Sequence, residues 1–166
     1  MQGSDKYQFR NEIWNRILLT GFIAGTLDAT AAIIQFYIKT GKSPVIIFIY
    51  IASAVFGKEA FSMSPFIAFA GLLFHYLIAT IFSAFYFLIY PKIKLLQKNK
   101  IVDAIIYGIF VWLVMNLIVV PLSHVQASPF DLLSALLAAV ILIICIGVPV
   151  SFIAFSFYKN KPGTSR

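Results

Sequence analysis

Two ionisable residues lie near the middle of long apolar stretches of this chain, where a charged side chain is costly to keep. Asp28 falls within the stretch 17–38 and His75 within the stretch 66–90. Acids and imidazoles at membrane depth mark ion pathways and proton relays, or they pair with one another. An acid and an imidazole in contact can exchange a proton near physiological pH. Asp28 and His75 are therefore the candidate site for chemistry inside a membrane.

The two residues are predicted to reach the same depth. At a rise of about 1.5 Å per residue, Asp28 lies roughly 16 Å beyond Ile17, and His75 lies roughly 14 Å beyond Phe66. The two helices are expected to run antiparallel through a hydrocarbon core about 30 Å thick. Both side chains then come near the middle of that core, where they can meet.

Small residues share a helical face with each ionisable residue. They are Gly21, Gly25 and Ala32 on the first stretch, and Ala68, Gly71, Ala79 and Ser83 on the second. Small residues let helices approach closely in membranes. We therefore predict that these two faces pack together, with Asp28 and His75 at the seam.

The predicted Asp28–His75 pair has two interpretations. It can be a hydrogen-bonded pair that fixes the register of two helices, which is a structural role. It can also be a protonation or cation site on a transport path. The residue pattern leaves both interpretations open.

The remaining polar residues point to no known chemistry. Asn116, in the third apolar stretch, is a further candidate for the polar site, although hydrogen bonding between helices is the favoured interpretation. His124 is expected in a solvated loop far in depth from His75, which argues against a haem with two histidine ligands. No metal-binding, nucleotide-binding or nucleophile motif is present. We expect no enzyme activity, no metal and no cofactor.

The elements that position these residues are predicted from composition. The chain is 61% hydrophobic and 11% charged, whereas soluble domains average about 25% charged residues. About 20 apolar residues cross a membrane as a helix. The sequence therefore predicts an all-α fold, a polytopic membrane helix bundle that forms one transmembrane domain over residues 1–166. Its four transmembrane helices are expected at about 17–38, 66–90, 101–122 and 132–157, and Asp131 is placed to cap the last of them.

A fifth apolar run, 45–57, lies between Pro44 and Lys58 and has only 13 residues. Runs of about 10–14 apolar residues are more often packed or re-entrant than spanning. We predict a short helix that dips into the membrane or packs against the bundle, and its length weighs against the alternative of a fifth span.

Basic residues are distributed unevenly between the two sides of the predicted bundle. With four spans, one side holds ten of the 13 Lys and Arg residues: Lys6, Arg10, Arg16, Lys92, Lys94, Lys98, Lys100, Lys159, Lys161 and Arg166. Cytoplasmic loops carry the excess of basic residues, so both termini are predicted to be cytoplasmic. The charge of +7 lies at span ends rather than in a stripe interleaved with aromatics, which argues against nucleic-acid binding.

Four segments of the chain resemble a known family. They are GFIAGTLDAT with Asp28, YIASAVFGKEAF, GLLFHYLIA around His75 and YGIFVWLVMNLIVVPLS around Asn116. In combination, from Gly21 to about Ser123, they resemble the YagU-like family of small bacterial inner-membrane proteins. The resemblance implies a multi-span helical fold in a bacterial cytoplasmic membrane, and it implies no particular activity.

Two functional hypotheses follow. The first is a small transporter or channel-like protein in which Asp28 and His75 line or gate a polar path for an ion or small-molecule cargo. Four spans rarely enclose a pore alone, so this hypothesis implies a homo-oligomer in the lipid bilayer. The second is a membrane scaffold or accessory subunit in which the pair is structural. Asp28, His75 and Asn116 are too few polar groups to favour a third possibility, an intramembrane enzyme.

Overall fold

The chain folds into five helices joined by short connections. The computed structural model describes residues 2–62, 66–124 and 131–159, and within those ranges it contains no strand. The helices are α1 (Gln2–Thr40), α2 (Val45–Phe56), α3 (Phe66–Ile89), α4 (Lys100–Leu122) and α5 (Leu132–Lys159). Single 3₁₀ turns follow α2 at Gly57–Phe61 and follow α3 at Tyr90–Lys92 and Lys94–Gln97. The predicted all-α bundle is confirmed.

Four of the helices, α1, α3, α4 and α5, are long and apolar enough to cross a membrane. Large apolar side chains cover their outer faces, among them Phe22, Leu77, Leu117 and Leu136. A soluble monomer rarely exposes so much contiguous apolar surface, whereas lipid accepts it. The protein is a multi-pass integral membrane protein.

Helix α1 is longer than the predicted span. It has 39 residues, or about 58 Å at 1.5 Å per residue, which is nearly twice the thickness of a hydrocarbon core of about 30 Å. Apolarity marks where a helix crosses lipid, so the pattern missed the polar turns before Ile17. The helix ends at Gly41, whose φ of 64° suits a glycine and whose N–H donates to the carbonyl of Tyr37 (2.8 Å).

Side chains cap the first turns of α4 and α5. The Asn99 carboxamide oxygen accepts hydrogen bonds from the N–H groups of Ile101 (2.9 Å) and Val102 (3.4 Å). The Asp131 carboxylate accepts one from the N–H of Ser134 (2.9 Å). These bonds satisfy amide groups that have no partner within the first helical turn. The predicted cap at Asp131 is confirmed.

Helices α4 and α5 each contain one π-helical turn, at Met115–Val119 and at Ile143–Gly147. The N–H of Val120 reaches the carbonyl of Met115, and the N–H of Val148 reaches that of Ile143. Each π turn lies just before a proline, Pro121 or Pro149. Proline lacks an N–H and its ring crowds the preceding turn, so a wider turn relieves the clash.

The short helix α2 packs against the bundle. Its 12 residues extend about 18 Å, too short to cross the hydrocarbon core. Gly71 of α3 lies directly against the backbone of α2, because a Cβ atom there would collide with the carbonyl oxygen of Phe48. The prediction of a short packed helix in place of a fifth span is confirmed.

The core lies nearer one end of the bundle. We call this end the terminal side, because α1 and α4 begin there and α3 and α5 end there. The buried cluster contains five aromatic residues from α3, α4 and their connection, together with smaller residues from α1 and α5. The aromatic residues are Phe82, Tyr86, Phe87, Tyr90 and Tyr107. On the opposite, α2 side, the Lys39 ammonium at the end of α1 donates to the Ser134 hydroxyl at the start of α5 (3.1 Å).

Candidate functional site

The contact between α1 and α3 is built on small residues of α1. A Cβ atom on Gly21 would lie 2.8 Å from the Cα of Thr80. A Cβ atom on Gly25 would lie 2.9 Å from the Tyr76 ring and 3.3 Å from the Cβ of Ala79. The absence of a side chain at both positions therefore lets the two backbones come close enough for a direct polar contact.

That polar contact is made by His75. Its Nε2 atom lies 2.8 Å from the backbone carbonyl oxygen of Gly25. A carbonyl oxygen only accepts, so Nε2 carries the proton and donates it. In the neutral tautomer that carries this proton, the free lone pair of the ring is on Nδ1.

Asp28 lies one turn beyond Gly25, and the structure brings it to the same cavity as His75. The cavity is about 90 Å³, enough to hold more than one water molecule. Asp28 and His75 are its ionisable lining residues, and the remaining walls are apolar side chains from α2, α3, α4 and α5, such as Ile51, Val111 and Ile146. The two groups are near enough to interact electrostatically. A carboxylate and an imidazole thus share a small space with otherwise apolar walls.

Asn116 lies elsewhere. Its side chain is exposed, and its Nδ2 atom donates to the Trp112 carbonyl of its own helix (2.8 Å). The cavity is instead lined by its neighbour Met115. The structure therefore brings Asp28 and His75 together and leaves Asn116 outside.

The four residues predicted to pack helices divide between two contacts. Gly21, Gly25 and Ala79 lie between α1 and α3, as described above. Gly71 lies against α2 instead. One stripe on α3 therefore serves two neighbours, since α2 covers the part of α3 near its start.

A second polar link joins α1 and α3 through Thr26. The Thr26 hydroxyl donates to the Phe22 carbonyl (2.8 Å), so the Tyr76 hydroxyl is the donor in its 2.9 Å contact with the Thr26 oxygen. The Tyr76 ring also stacks on Phe22 with centroids 5.5 Å apart. Together with the bond from His75, this contact fixes the register of the two helices within one turn of Asp28.

A buried polar cluster on the terminal side was also missed by the sequence analysis. Asp103 is 2% exposed and Tyr86 is 1% exposed. Within the part of the chain that is described, neither Oδ2 of Asp103 nor the Tyr86 hydroxyl has a hydrogen-bond partner. Ser151 lies beside Tyr86. Its hydroxyl donates to the Lys100 carbonyl (3.1 Å), and the Ser151 oxygen keeps lone pairs that face the Tyr86 side.

The positions of Asp103 and Tyr86 in the sequence suggest ordinary roles that do not involve a buried polar cluster. Asp103 falls in the first turn of α4, where an acidic residue usually needs no explanation beyond the helix dipole. Asp103 lies near Tyr86 and Tyr90, and no local pattern shows that proximity. A tyrosine near a span end likewise resembles an interfacial anchor.

No metal centre is evident among the residues that the structure describes, since no three His, Cys, Asp or Glu side chains come together there. The fold defines the class of protein, a multi-pass membrane protein, and Asp28 and His75 line one cavity between its helices. The chain matches no protein family model, no curated protein and no solved structure. The resemblance to YagU-like proteins therefore stays a prediction.

Proposed function

We propose that the protein is a small transporter or channel-like protein in which Asp28 and His75 form a protonatable site on the transport path. The observation that carries this proposal is the cavity of about 90 Å³ that both side chains line. Ionisable residues inside membranes usually face one another or a water-filled cavity on an ion path. A purely packed interface would have no need of that space.

The hydrogen bond from Nε2 of His75 to the Gly25 carbonyl supports separate roles for His75 and Asp28. It orients the imidazole and leaves Nδ1 as the atom that exchanges protons. Asp28 can accept a proton or hold a cation, because a carboxylate offers several lone pairs and no competing donor. The apolar walls keep other charges away from the pair.

A pathway through the membrane requires more than one copy of the chain in this proposal. Four spans rarely enclose a pore, so we place the protein in a homo-oligomer. The distribution of Lys and Arg supports a cytoplasmic location for both termini, and the YagU-like resemblance supports a bacterial cytoplasmic membrane. The cargo is an ion or small molecule that moves with, or in place of, a proton.

The test is proton flux into vesicles that contain the reconstituted protein and an entrapped pH-sensitive dye. Flux should change between about pH 5 and 8, where histidine titrates. Asp28→Asn should abolish that pH dependence. Asp131→Asn is the matched control, because it makes the same chemical change at an exposed helix cap that asparagine also fills well. Flux no greater than in empty vesicles, or equal flux in native protein and Asp28→Asn, would refute the proposal.

The bond from His75 to Gly25 also favours the second candidate, a scaffold or accessory subunit in which the pair is structural. A polar bond between membrane helices contributes to their register and, on average, about 0.6 kcal/mol to their association. In that case Asp28→Asn should change the melting temperature in detergent and leave flux unaffected. A stoichiometric partner should then be recovered with the purified native protein.

A further inference from the structure

A wide groove runs between α1 and α5 on the terminal side. It encloses about 860 Å³, and we call it the terminal groove. Its polar wall includes Arg16 and Glu12 of α1 and Lys100 of α4, while Phe152, Phe155 and Phe157 of α5 form an apolar wall. The Asp28–His75 cavity shares none of these residues.

The charges of the terminal groove favour an anion. Arg16 and Lys100 are two cations against the single carboxylate of Glu12. The Lys100 ammonium lies 4.3 Å from the centroid of the Phe152 ring, a cation–π contact that holds it against the groove wall. At the rim, the Lys159 ammonium lies 5.7 Å from the centroid of the Phe155 ring. Arginine and lysine side chains that line a common groove, as Arg16 and Lys100 do, are the usual ligands of a phosphate group.

The position of the terminal groove matches the headgroup layer of a bilayer. Arg16 directly precedes Ile17, which is fully buried where the apolar part of α1 begins. Lys100 is the first residue of α4. Basic residues at the ends of membrane helices lie at the level of lipid phosphates. The aromatic wall extends from that level toward the hydrocarbon region.

We propose that the terminal groove is a binding site for an anionic glycerophospholipid. Arg16 and Lys100 bind the phosphate of the headgroup, and an acyl chain lies along Phe152 and Phe155. Basic pockets between membrane helices bind anionic lipid headgroups in this way. A soluble phosphate would leave the aromatic wall uncovered, so the occupant is a lipid.

Binding of single dioleoylphosphatidylglycerol molecules to the detergent-purified protein can be measured by native mass spectrometry. Arg16→Gln and Lys100→Gln should each weaken binding about tenfold, as expected for loss of a hydrogen bond to a charged group. Lys92→Gln is the matched control: it removes the same charge from an exposed position on the terminal side that does not line the groove. Its effect should be less than about twofold, because salt screens distant exposed charges.

Two further measurements separate the proposal from misfolding and from other ligands. Glu12→Gln should strengthen binding, since it removes a negative charge beside the phosphate, and an unfolded variant cannot produce that gain. Dioleoylglycerol, which has no phosphate, and inorganic phosphate, which has no acyl chain, should both compete poorly. Equal losses in Arg16→Gln and Lys92→Gln, or competition by inorganic phosphate at concentrations similar to the lipid, would overturn the proposal.

Discussion

The imidazole of His75 donates from Nε2 to the backbone carbonyl of Gly25, 2.8 Å away, across the contact between α3 and α1. The acceptor is on a residue without a side chain, and the Cβ atom of any larger residue would lie 2.9 Å from the Tyr76 ring. The small residue and the imidazole therefore depend on each other. Close approach makes the bond possible, and the bond orients the ring beside Asp28 in their shared cavity.

His75→Phe should destabilise the contact between α1 and α3, because it removes the donor and leaves the Gly25 carbonyl without this partner. The free energy of unfolding should fall by about 1 kcal/mol, in the range found for hydrogen bonds between membrane helices. His75→Gln keeps a donor and should lose less. Reversible unfolding in mixed detergent micelles measures the difference. Equal stability of native protein and His75→Phe would contradict a role for this bond.

Gly21→Ala and Gly25→Ala should differ in stability, although both changes add one methyl group to the same helix. At Gly21 the new atom would meet the Cα of Thr80 at 2.8 Å, and backbone cannot move aside easily. At Gly25 it would meet the Tyr76 ring at 2.9 Å, and that ring can shift only by straining its contacts with Thr26 and Phe22. Overpacking costs about 1–3 kcal/mol, while alanine gains about 1 kcal/mol in helix propensity.

We therefore expect Gly21→Ala to destabilise the protein by about 1 kcal/mol and Gly25→Ala to destabilise it by less, because a side chain yields more easily than backbone. Melting temperatures of the two variants in one detergent provide the comparison. A larger loss in Gly25→Ala than in Gly21→Ala would show that α1 and α3 pack in a different register.

The periodicity and apolarity of the sequence located the membrane helices, because lipid restricts the backbone structures that can span it. A chain in hydrocarbon must satisfy its own N–H and C=O groups, so each long apolar run becomes a helix. The predicted boundaries 66–90 and 132–157 agree closely with α3 and α5. Helix α1 begins at Gln2, 15 residues before the predicted span, because apolarity marks the part of a helix that crosses lipid and not the turns that precede it.

Depth along two antiparallel helices was enough to suggest that Asp28 and His75 share a level, and the structure places both on one cavity. The depth of a residue in the membrane does not indicate which neighbouring helix it contacts. Gly71 shares the predicted face of His75 and yet lies against α2. Asp103 and Tyr86 were missed for a related reason, because they lie on two different helices and come close only in the folded bundle. Such contacts depend on the packing of the whole bundle.

Tyr107→Phe and Tyr86→Phe offer a comparison within that buried cluster, since both remove one hydroxyl from a tyrosine at most 5% exposed. The Tyr107 hydroxyl donates to the Phe82 carbonyl at 2.6 Å, whereas the Tyr86 hydroxyl has no partner among the described residues. Removing a bonded hydroxyl costs about 1 kcal/mol, while removing a buried unpaired one is neutral or stabilising. Unfolding in mixed micelles should therefore show a loss for Tyr107→Phe alone. A similar loss for Tyr86→Phe would mean that its hydroxyl has a partner, such as a buried water.

The stability that the Asp131 cap contributes should depend on pH. Asp131 lies outside the membrane-spanning part of α5. Hydrogen bonds from the side chain and the backbone N–H of Ser134 lower the pKa of this carboxyl below its ordinary value of 3.8, and the nearby Lys39 ammonium lowers it further. A carboxyl with a lowered pKa in the folded state stabilises the fold above pH 3.8, and the stabilisation is lost as the pH falls through the folded pKa. At neutral pH the cap therefore contributes fully.

Asp131→Ala should accordingly lower the melting temperature at pH 7, because the N–H of Ser134 loses its acceptor. The difference between native protein and Asp131→Ala should narrow as the pH falls below 3.8. Asp131→Asn caps the helix without a titrating group, so its melting temperature at neutral pH should stay close to that of the native protein. The difference in melting temperature between Asp131→Asn and Asp131→Ala should not narrow in acid. Melting curves of the three proteins at pH 7 and in acid decide the matter. A gap between native protein and Asp131→Ala that stays constant with pH would show that the charge of this carboxylate does not stabilise α5.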